Sequence, residues 1–352
     1  MANNRIFYAC QSAAINHREY NSTTGIWSTF SNSTTHQCEG LQSVGINTNF
    51  NLEQIFELGQ LGIYENVEGI PEVEVTMEKA LDGKRLLYHC CSTEGEVVTQ
   101  TTQDRADIGI KVFADSGNAD GGSGIAEVVA TGMYVSNISY TFPIEGNATE
   151  SITFVGNAKQ WENSGGTGLS AKSLSSLVTN PSGTPTGAGA PASDGVTRRE
   201  NFQPHGSTST TSRIPSTVRS AGALQSVTVS SDFSREDILS LGSKTPYYRA
   251  AGFPIEVSCE FEVVATNGDR VNMVEGSDNI GNETIIISAG ATADQRVTLN
   301  LGTRNKLTSI SYGGGDASGG NATITFGYIN YNDLVVSGPS LPAGVTQSSL
   351  GS

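Results

Sequence analysis

The sequence predicts a mainly β protein with two tandem β-sandwich or β-barrel domains, each carrying one short flanking α-helix. The first observation is composition, because the 352 residues are rich in Gly, Ser, Thr and Asn and contain only short apolar runs, as in strands joined by frequent turns. The second is a repeat, because the stretch from Leu41 to Gly59 recurs from Leu224 to Gly242 at a constant offset of 183. This register indicates an internal duplication.

Each copy of the repeated stretch is predicted to be a strand followed by a short helix. Asn51 and Ser234 are suited to the N-cap, because their side-chain oxygens can accept from free helical N–H groups. An apolar pair with the spacing of a hydrophobic staple surrounds each cap. Gly59 and Gly242 then stand where a helix would end in a left-handed conformation.

A strand with one acidic face follows in each copy, after Pro71 and after Pro254. Alternate residues are apolar, so the residues between them point to the opposite face of the strand. We match the two strands with a shift of 182. The acidic residues on the polar faces are Glu72, Glu74, Glu78, Glu256, Glu260 and Glu262.

Each copy closes with a predicted hairpin, in which residues 138–140 match 310–312 and residues 152–154 match 324–326. A Gly-Asn pair lies between the two runs in both copies and suits a hairpin connection. The predicted domains therefore cover residues 41–162 and 223–337.

The remaining segments are predicted to be an arm, a linker and a tail. Residues 1–40 are polar with scattered aromatic side chains, so this arm should be mobile or lie on a partner. Residues 163–222 are dominated by Ser, Thr, Gly, Pro and Ala and read as a linker without regular elements. Residues 338–352 read as a loose tail.

The net charge of −15, from 35 acidic and 20 basic residues, argues against a protein that grips nucleic acid, since binding phosphates requires clustered Lys and Arg. It does not argue against a surface past which nucleic acid slides. Residues 1–17 lack the pattern of a secretory leader, and no stretch approaches the length of a membrane span. We therefore expect no membrane partner.

The five cysteines form an odd number, and without a secretory leader the simplest expectation is reduced thiols. The alternative is a disulfide between chains after assembly, because an unpaired Cys can serve a neighbouring subunit. Cys10 and Cys38 are the candidates for such a bond.

The residue patterns indicate no catalytic site, no metal site and no cofactor, so we expect a protein that is not an enzyme. The nearest approach to a zinc site combines His36 and Cys38 with His89, Cys90 and Cys91. Adjacent cysteines lack the usual two-residue spacer of such sites, which disfavours zinc.

The order of these elements resembles the tail tube proteins of tailed bacteriophages and of related contractile injection machines. The residues that carry the resemblance are the Leu-Gln-Ser-Val strands, the segments ending in Leu-Gly, the proline-initiated strands and the closing hairpins. The resemblance covers roughly residues 41–160 and 223–335 and implies subunits that join their sheets into a ring around a lumen. A ring of this family commonly has six domains, so the duplication favours three chains per ring over six.

The resemblance implies a virion protein of the phage tail, assembled in the host cytoplasm, whose stacked rings conduct DNA during ejection. Its implied partners are further copies of itself, tail sheath, baseplate and tail-terminator proteins, and phage DNA that passes without specific binding. The acidic faces would line the lumen and repel the DNA backbone, or they simply solubilise an exposed sheet. The expected contacts between subunits or rings are Phe7, Tyr8, Tyr20, Trp27, Leu61, Ile63, Tyr64, Tyr247 and Tyr248.

A second interpretation is a tandem binding module that recognises carbohydrate or a cell surface from a phage fibre or baseplate. That function requires exposed aromatic clusters beside polar residues, for which Tyr247–Tyr248 and residues 328–331 are the candidates. The two interpretations differ in polymerisation, because a tube subunit forms rings or filaments.

Overall fold

A computed structural model describes residues 6, 11–28, 35–113, 126–163, 195–208, 210–243, 245–269, 271, 280–290, 292, 295–315 and 320–339. The predicted mainly β architecture is confirmed within these ranges. Strands of what we call the first half are β1 (Gln11–Arg18), β2 (Tyr20–Asn21), β3 (Ile26–Trp27), β4 (Thr35–Gln37), β5 (Leu41–Asn49), β6 (Leu52–Phe56), β7 (Ile63–Glu68), β8 (Glu72–Ala80), β9 (Arg105–Val112), β10 (Ala126–Pro143), β11 (Thr149–Gly156) and β12 (Ala158–Asn163).

Short 3-10 turns at Tyr88–Cys90 and Arg199–Asn201 and the helix α1 (Ser216–Ala221) complete the connections. Strands of the second half are β13 (Gly222–Asp232), β14 (Glu236–Ile238), β15 (Tyr248–Ala250), β16 (Glu256–Ala265), β17 (Ile286–Ala289), β18 (Val297–Asn300), β19 (Lys306–Gly313), β20 (Thr323–Tyr331) and β21 (Val335–Ser337).

One antiparallel sheet runs through both halves in the order β5-β8-β11-β10-β13-β16-β20-β19. The first four strands come from the first half and the last four from the second half. Their order is the same in both halves, so that β5, β8, β11 and β10 correspond to β13, β16, β20 and β19. We call these eight strands the main sheet. Since its two outermost strands have no second partner among the described residues, the sheet does not close into a barrel within one chain.

The 18-residue strand β10 belongs to two layers. Its first part pairs with β9 and β12, and its last part pairs with β11 and β13. The pairing shifts between Ala130 and Met133 and again between Val135 and Asn137, and Gly132 between them has a left-handed φ of 66°. Irregularities of this kind bend a strand, so β10 leaves the main sheet and continues into a second layer with β9, β1 and β4.

The hydrophobic core lies on one face of the main sheet and is contiguous through both halves. Period-2 alternation points apolar side chains of each strand to this face. In the first half Met77 and Phe154 are completely buried, and in the second half Phe261 and Phe326 are.

The predicted helices after Asn51 and Ser234 are wrong, because both segments form β-hairpins, β6 with β7 and β14 with β15. Asn51 and Ser234 have left-handed φ values of 48° and 42°, whereas an N-cap residue has extended backbone. Each accepts a 3.1 Å hydrogen bond at its carbonyl, from the N–H of Gly69 and Gly252 respectively.

An Asx turn fixes the entry into each hairpin. The Asn49 side-chain oxygen accepts from the Asn51 N–H at 3.1 Å, and the Asp232 carboxylate accepts from the Ser234 N–H at 2.8 Å. Short polar side chains that cap helices also stabilise such turns, which explains the wrong prediction. Gly59 and Gly242, predicted to end helices, have φ values of 92° and 85° near the hairpin tips.

The described part of the predicted arm belongs to the fold. Strand β1 pairs with β9 over eight residues, and Ala14 and Ile15 are completely buried. This segment therefore lies on its own chain and not on a partner. Its apolar run is short and lies among polar residues, so the sequence did not predict this strand.

The described part of the predicted linker, 195–208 and 210–222, is also packed, contrary to the expectation of a segment without regular elements. Thr197 donates its N–H to the Leu81 carbonyl at 2.6 Å and accepts from the Ala148 N–H at 3.0 Å. The helix α1 begins after Pro215, a residue that suits a helix start, and buries Val218. Residues 164–194 and most of the predicted tail lie outside the described residues.

Candidate assembly surfaces

The two halves of the main sheet meet at one junction, which we call the seam, where β10 pairs with β13. Seven residue pairs join 137–143 to 226–232 in antiparallel register. The Phe233 N–H extends the junction by donating to the Ser136 carbonyl at 2.9 Å. Tyr140 and Val229 face each other here, and both are 0% exposed. The seam thus covers the apolar faces of both strands.

Among the described residues, the outermost strands of the main sheet, β5 and β19, have no further partner strand and form two free edges. In the repeat, β5 corresponds to β13 and β19 to β10, so each free edge matches one side of the seam. Ile46, the counterpart of Val229, is only half-buried. Tyr312, the counterpart of Tyr140, is 63% exposed. Apolar side chains that are fully buried at the seam are therefore half-buried or exposed at the edges.

The structure places the predicted acidic residues on the face of the main sheet opposite the core. Val75 in β8 and Cys259 in β16 are buried, and the side chains between the buried positions are exposed or half-buried. No Lys or Arg lies on this face in β8, β16 or their neighbours β5, β11, β13 and β20. The acidic residues on this face, which we call the polar face, are Glu72, Glu74, Glu78, Glu256, Glu260 and Glu262.

Strand pairing changes the correspondence between the two acidic strands. Asn49 of β5 pairs with Glu72, and its counterpart Asp232 of β13 pairs with Glu256. Glu256 thus corresponds to Glu72, with an offset of 184 and not 182. Similarly, residue 152 pairs with 77 and residue 326 with 261, so the closing strands match with an offset of 174 and not 172. The sequence alone left the register ambiguous because alternating strands tolerate shifts by two.

The hairpin of the second half, β14–β15, is docked on the first half. Arg235 donates from Nε to the Val135 carbonyl at 2.7 Å and from a terminal nitrogen to the Thr102 carbonyl at 2.6 Å. Burial lowers the pKa of Arg235 to about 10, so the side chain stays charged at neutral pH. Tyr248, one of the predicted contact residues, packs edge-on against Tyr134 of its own chain, with centroids 6.1 Å apart.

Arg249 of this hairpin connects it to the polar face. Its guanidinium forms an ion pair with Asp237 at 2.7 Å and lies 3.4 Å from the Glu72 carboxylate. Since Arg249 is almost completely buried, Glu72 differs from the other acidic residues of the polar face in having a fixed cationic neighbour. Sequence reasoning missed Arg235 and Arg249, because nothing local marks them as contacts to the other half.

The hairpin of the first half, β6–β7, lies in solvent along its whole length. Leu58 and Leu61 at its tip are fully exposed, and Ile63 and Tyr64, two predicted contact residues, are 47% and 64% exposed. Tyr247 near the tip of the second hairpin is likewise exposed. These apolar tips remain available to another molecule.

The described aromatic residues of the predicted arm contact their own chain. Tyr20 and Trp27 pack against each other with centroids 5.1 Å apart, and Trp27 donates its indole N–H to the Gln103 carbonyl at 2.8 Å. The Arg105 guanidinium lies 3.5 Å over the Trp27 ring. Phe7 and Tyr8 lie outside the described residues.

The cysteines Cys38, Cys90, Cys91 and Cys259 are free and buried. Burial raises the pKa of the Cys38 thiol well above its usual value, and the side chain faces the core, so it is not placed for a bond to another chain. Cys10, the other candidate for such a bond, lies outside the described residues. Across the described ranges, no three His, Cys, Asp or Glu residues are grouped to hold a metal ion.

A buried carboxylate supports the seam from the core side. Glu150 accepts hydrogen bonds from the N–H groups of Leu87 at 2.6 Å and Tyr88 at 3.0 Å, and from the Tyr140 hydroxyl at 3.0 Å. Burial raises its pKa. The hydrogen bond holds Tyr140 in place behind the seam.

Two buried histidines lie in the first half. The pKa values of His36 and His89 are lowered to about 4, chiefly by burial. His89 donates from Nε2 to the Val336 carbonyl at 3.1 Å, and so joins the first half to β21.

The described helices include none that is long and apolar enough to span a membrane. No protein-family model matches the chain, and no curated protein matches it in sequence. Among solved structures, the tube-terminating cap of the anti-feeding prophage is similar with 14% identity and a TM-score of 0.33, over 47% of this chain and 95% of that chain. The sheath–tube complex of an extracellular contractile injection system in its extended state is similar with 13% identity and a TM-score of 0.31, over 46% and 94%.

Proposed function

We propose that this protein is a structural subunit of a phage-type tail tube, in which copies join into rings and rings stack into a conduit for DNA. The observation that carries the proposal is the main sheet, which passes through both halves and ends in two free, uncovered edges. The role is structural and involves neither catalysis nor a cofactor.

Three chains per ring suit the dimensions of a DNA conduit. Each chain supplies eight strands to the main sheet, so three chains supply twenty-four. At a strand spacing of about 4.8 Å these would close at a backbone diameter of at least about 37 Å, and at a larger one when the strands tilt. Such a ring leaves room for a DNA duplex after its inward side chains are included.

The polar face is the one that would line this bore. The other face is covered by the core and by the second layer of β1, β4, β9 and β12, and layers of that thickness from three chains do not fit inside a sheet of this circumference. The polar face of β5, β8, β11, β13, β16 and β20 carries the six glutamates and no Lys or Arg, so it repels phosphates and offers them no cation that would release their counterions. DNA would therefore slide without being held.

Contacts between successive rings would involve the hairpin tips. Leu58, Leu61 and Leu241 are fully exposed there, and burying a leucine side chain against a second ring is favourable by about 1.5–3 kcal/mol. In the assembled tail, located in the virion and built in the host cytoplasm, sheath, baseplate and terminator proteins would cover the outside and the ends.

Electron microscopy of the purified chain, with end-on class averages and the mass of single rings, tests this function. Hollow rings or tubes with apparent sixfold symmetry and three chains per ring are expected. Dispersed particles of one or two chains at all concentrations would contradict the tube and favour the tandem binding module, which a glycan-binding screen would then examine.

A further inference from the structure

The two free edges of the main sheet carry the same kinds of strand that meet at the seam inside the chain. We propose that β19 of one chain pairs with β5 of a second copy in the register of the β10–β13 seam. This pairing rests on the proposed tube function and specifies its ring contact. The internal seam would then be the template for every junction between chains.

Shared irregularities set the correspondence between edge and seam. The β10–β11 pairing skips Ser136, and the β19–β20 pairing skips Thr308, which fixes an offset of 172 between β10 and β19. The β5–β8 pairing skips Gln42, and the β13–β16 pairing skips Gln225, in agreement with the offset of 183 in the repeat. Because a bulge marks one position on a strand, these matches exclude an alternative correspondence in which one strand is shifted by two residues.

The register between chains follows from these offsets. At the seam Tyr140 lies opposite Val229, and Ser139 lies opposite Ser230. The same pairing between chains places Tyr312 opposite Ile46 and Ser311 opposite Asn47. The pair on the core side of the sheet is apolar, and the pair on the polar face is small and polar, as at the seam.

Exposure of the counterpart residues supports a partner at both edges. Phe233 at the end of the seam is 1% exposed, whereas its counterpart Phe50 is 60% exposed. The Phe233 N–H donates to the Ser136 carbonyl at the seam, so the Phe50 N–H would donate to the Thr308 carbonyl of the next chain. The large exposed side chains of the edges are those that the pairing would cover.

The edge strand β5 also lacks the features that protect a solvent-exposed edge. Its nine residues, Leu41–Asn49, contain no charged residue and no proline, although natural edge strands are usually blunted by Lys, Pro or inward charges. Two different edges pair, so the contact is heterologous and repeats until it closes into a ring.

A pair of cysteines on the polar face tests the register. Asn47 and Ser311 are both exposed and lie on opposite edges of one chain, seven strand spacings or about 34 Å apart, so a disulfide joining them must form between chains. In Asn47→Cys/Ser311→Cys, mild oxidation of the assembled protein is expected to yield covalent dimers and trimers on non-reducing gels, with no larger species.

Two matched variants control this experiment. Ser139→Cys/Ser230→Cys places the same pair at the internal seam and should form a disulfide within one chain. Asn49→Cys/Ser311→Cys moves one cysteine by two residues on the same face, beyond the reach of a disulfide with its diagonal neighbour, and should remain largely uncross-linked. Circular dichroism melting of each variant verifies folding.

The outcomes separate the pairing from the function. Rings that form in the microscope without the 47–311 disulfide, or with the 49–311 disulfide in its place, would overturn the register and leave the tube function intact. A covalent ladder that continues past three chains would overturn ring closure at three. Absence of both rings and cross-links would refute the tube function and, with it, the pairing.

Discussion

The two hairpins share their construction but differ in what they contact. Both begin with an Asx turn and a left-handed residue, Asn51 or Ser234. Yet β14–β15 is docked through Arg235 on the preceding half of the chain, whereas β6–β7 lies in solvent. Among the described residues, no element stands to β6–β7 as the first half stands to β14–β15, which teaches that local sequence sets the turn and that a neighbouring half decides the docking.

The largest effect should come from truncating Phe233, the buried aromatic residue before the second hairpin. Phe233→Ala creates a cavity at the buried end of the seam and is expected to lower the free energy of unfolding by about 3–5 kcal/mol. Phe50→Ala, the matched change at an exposed site, should alter it by less than about 0.5 kcal/mol. Urea denaturation of the unassembled chain measures both; equal losses would contradict the assigned difference between seam and edge.

The next effect concerns the arginine that docks the second hairpin. Arg235→Leu gives the second hairpin the residue found at the corresponding position of the first, Leu52. Loss of two charged hydrogen bonds is expected to cost about 2–3 kcal/mol and to raise amide hydrogen exchange in β14–β15 to the level of β6–β7. Leu52→Ala serves as the control, and unchanged protection of β14–β15 would show that the arginine does not hold the hairpin.

The buried histidines make the first half sensitive to acid. Their pKa values near 4 lie below the ordinary value of 6.5, so the unfolded chain binds protons that the folded chain does not. Stability should therefore be fully present above pH 6.5 and fall as the pH drops towards 4, by about 1.4 kcal/mol per pH unit for each histidine.

His89→Gln removes one such group and can still donate to the Val336 carbonyl. Between pH 7 and pH 5 this variant should lose about 2 kcal/mol less stability than the unmodified chain, measured by urea denaturation at each pH. Identical pH profiles for His89→Gln and the unmodified chain would contradict a neutral buried His89.

The smallest effect on stability should come from the polar face. Glu78→Lys and Glu260→Lys replace exposed residues and are expected to change the free energy of unfolding by less than about 0.5 kcal/mol. In assembled rings, however, the added cations should increase retention of duplex DNA, and the retention should weaken steeply with salt. Glu78→Gln and Glu260→Gln are the neutral controls, and equal DNA retention by both sets would argue against a lumen at this face.

Much of the fold could be predicted because its signals are local. Alternation in β8 and β16 fixed which residues enter the core, and the repeat at an offset of 183 located β5 and β13. The candidate surfaces were predicted only in part. The acidic residues were placed on one face correctly, but Arg249 beside Glu72 and the contacts of Trp27 involve residues far away in the chain, for which no local pattern exists.

The sequence by itself determined where strands and turns occur, because period-2 alternation and turn chemistry act between residues a few positions apart. Only the tertiary structure decided that the Asn51 and Ser234 segments are hairpins and not helices. Short polar side chains stabilise helix caps and turns alike, so pairing with a partner strand selects the hairpin. It also decided that β10 pairs with β13 and leaves β5 and β19 free. Strand pairing joins residues distant in sequence, and its choice depends on which apolar faces the whole chain can cover.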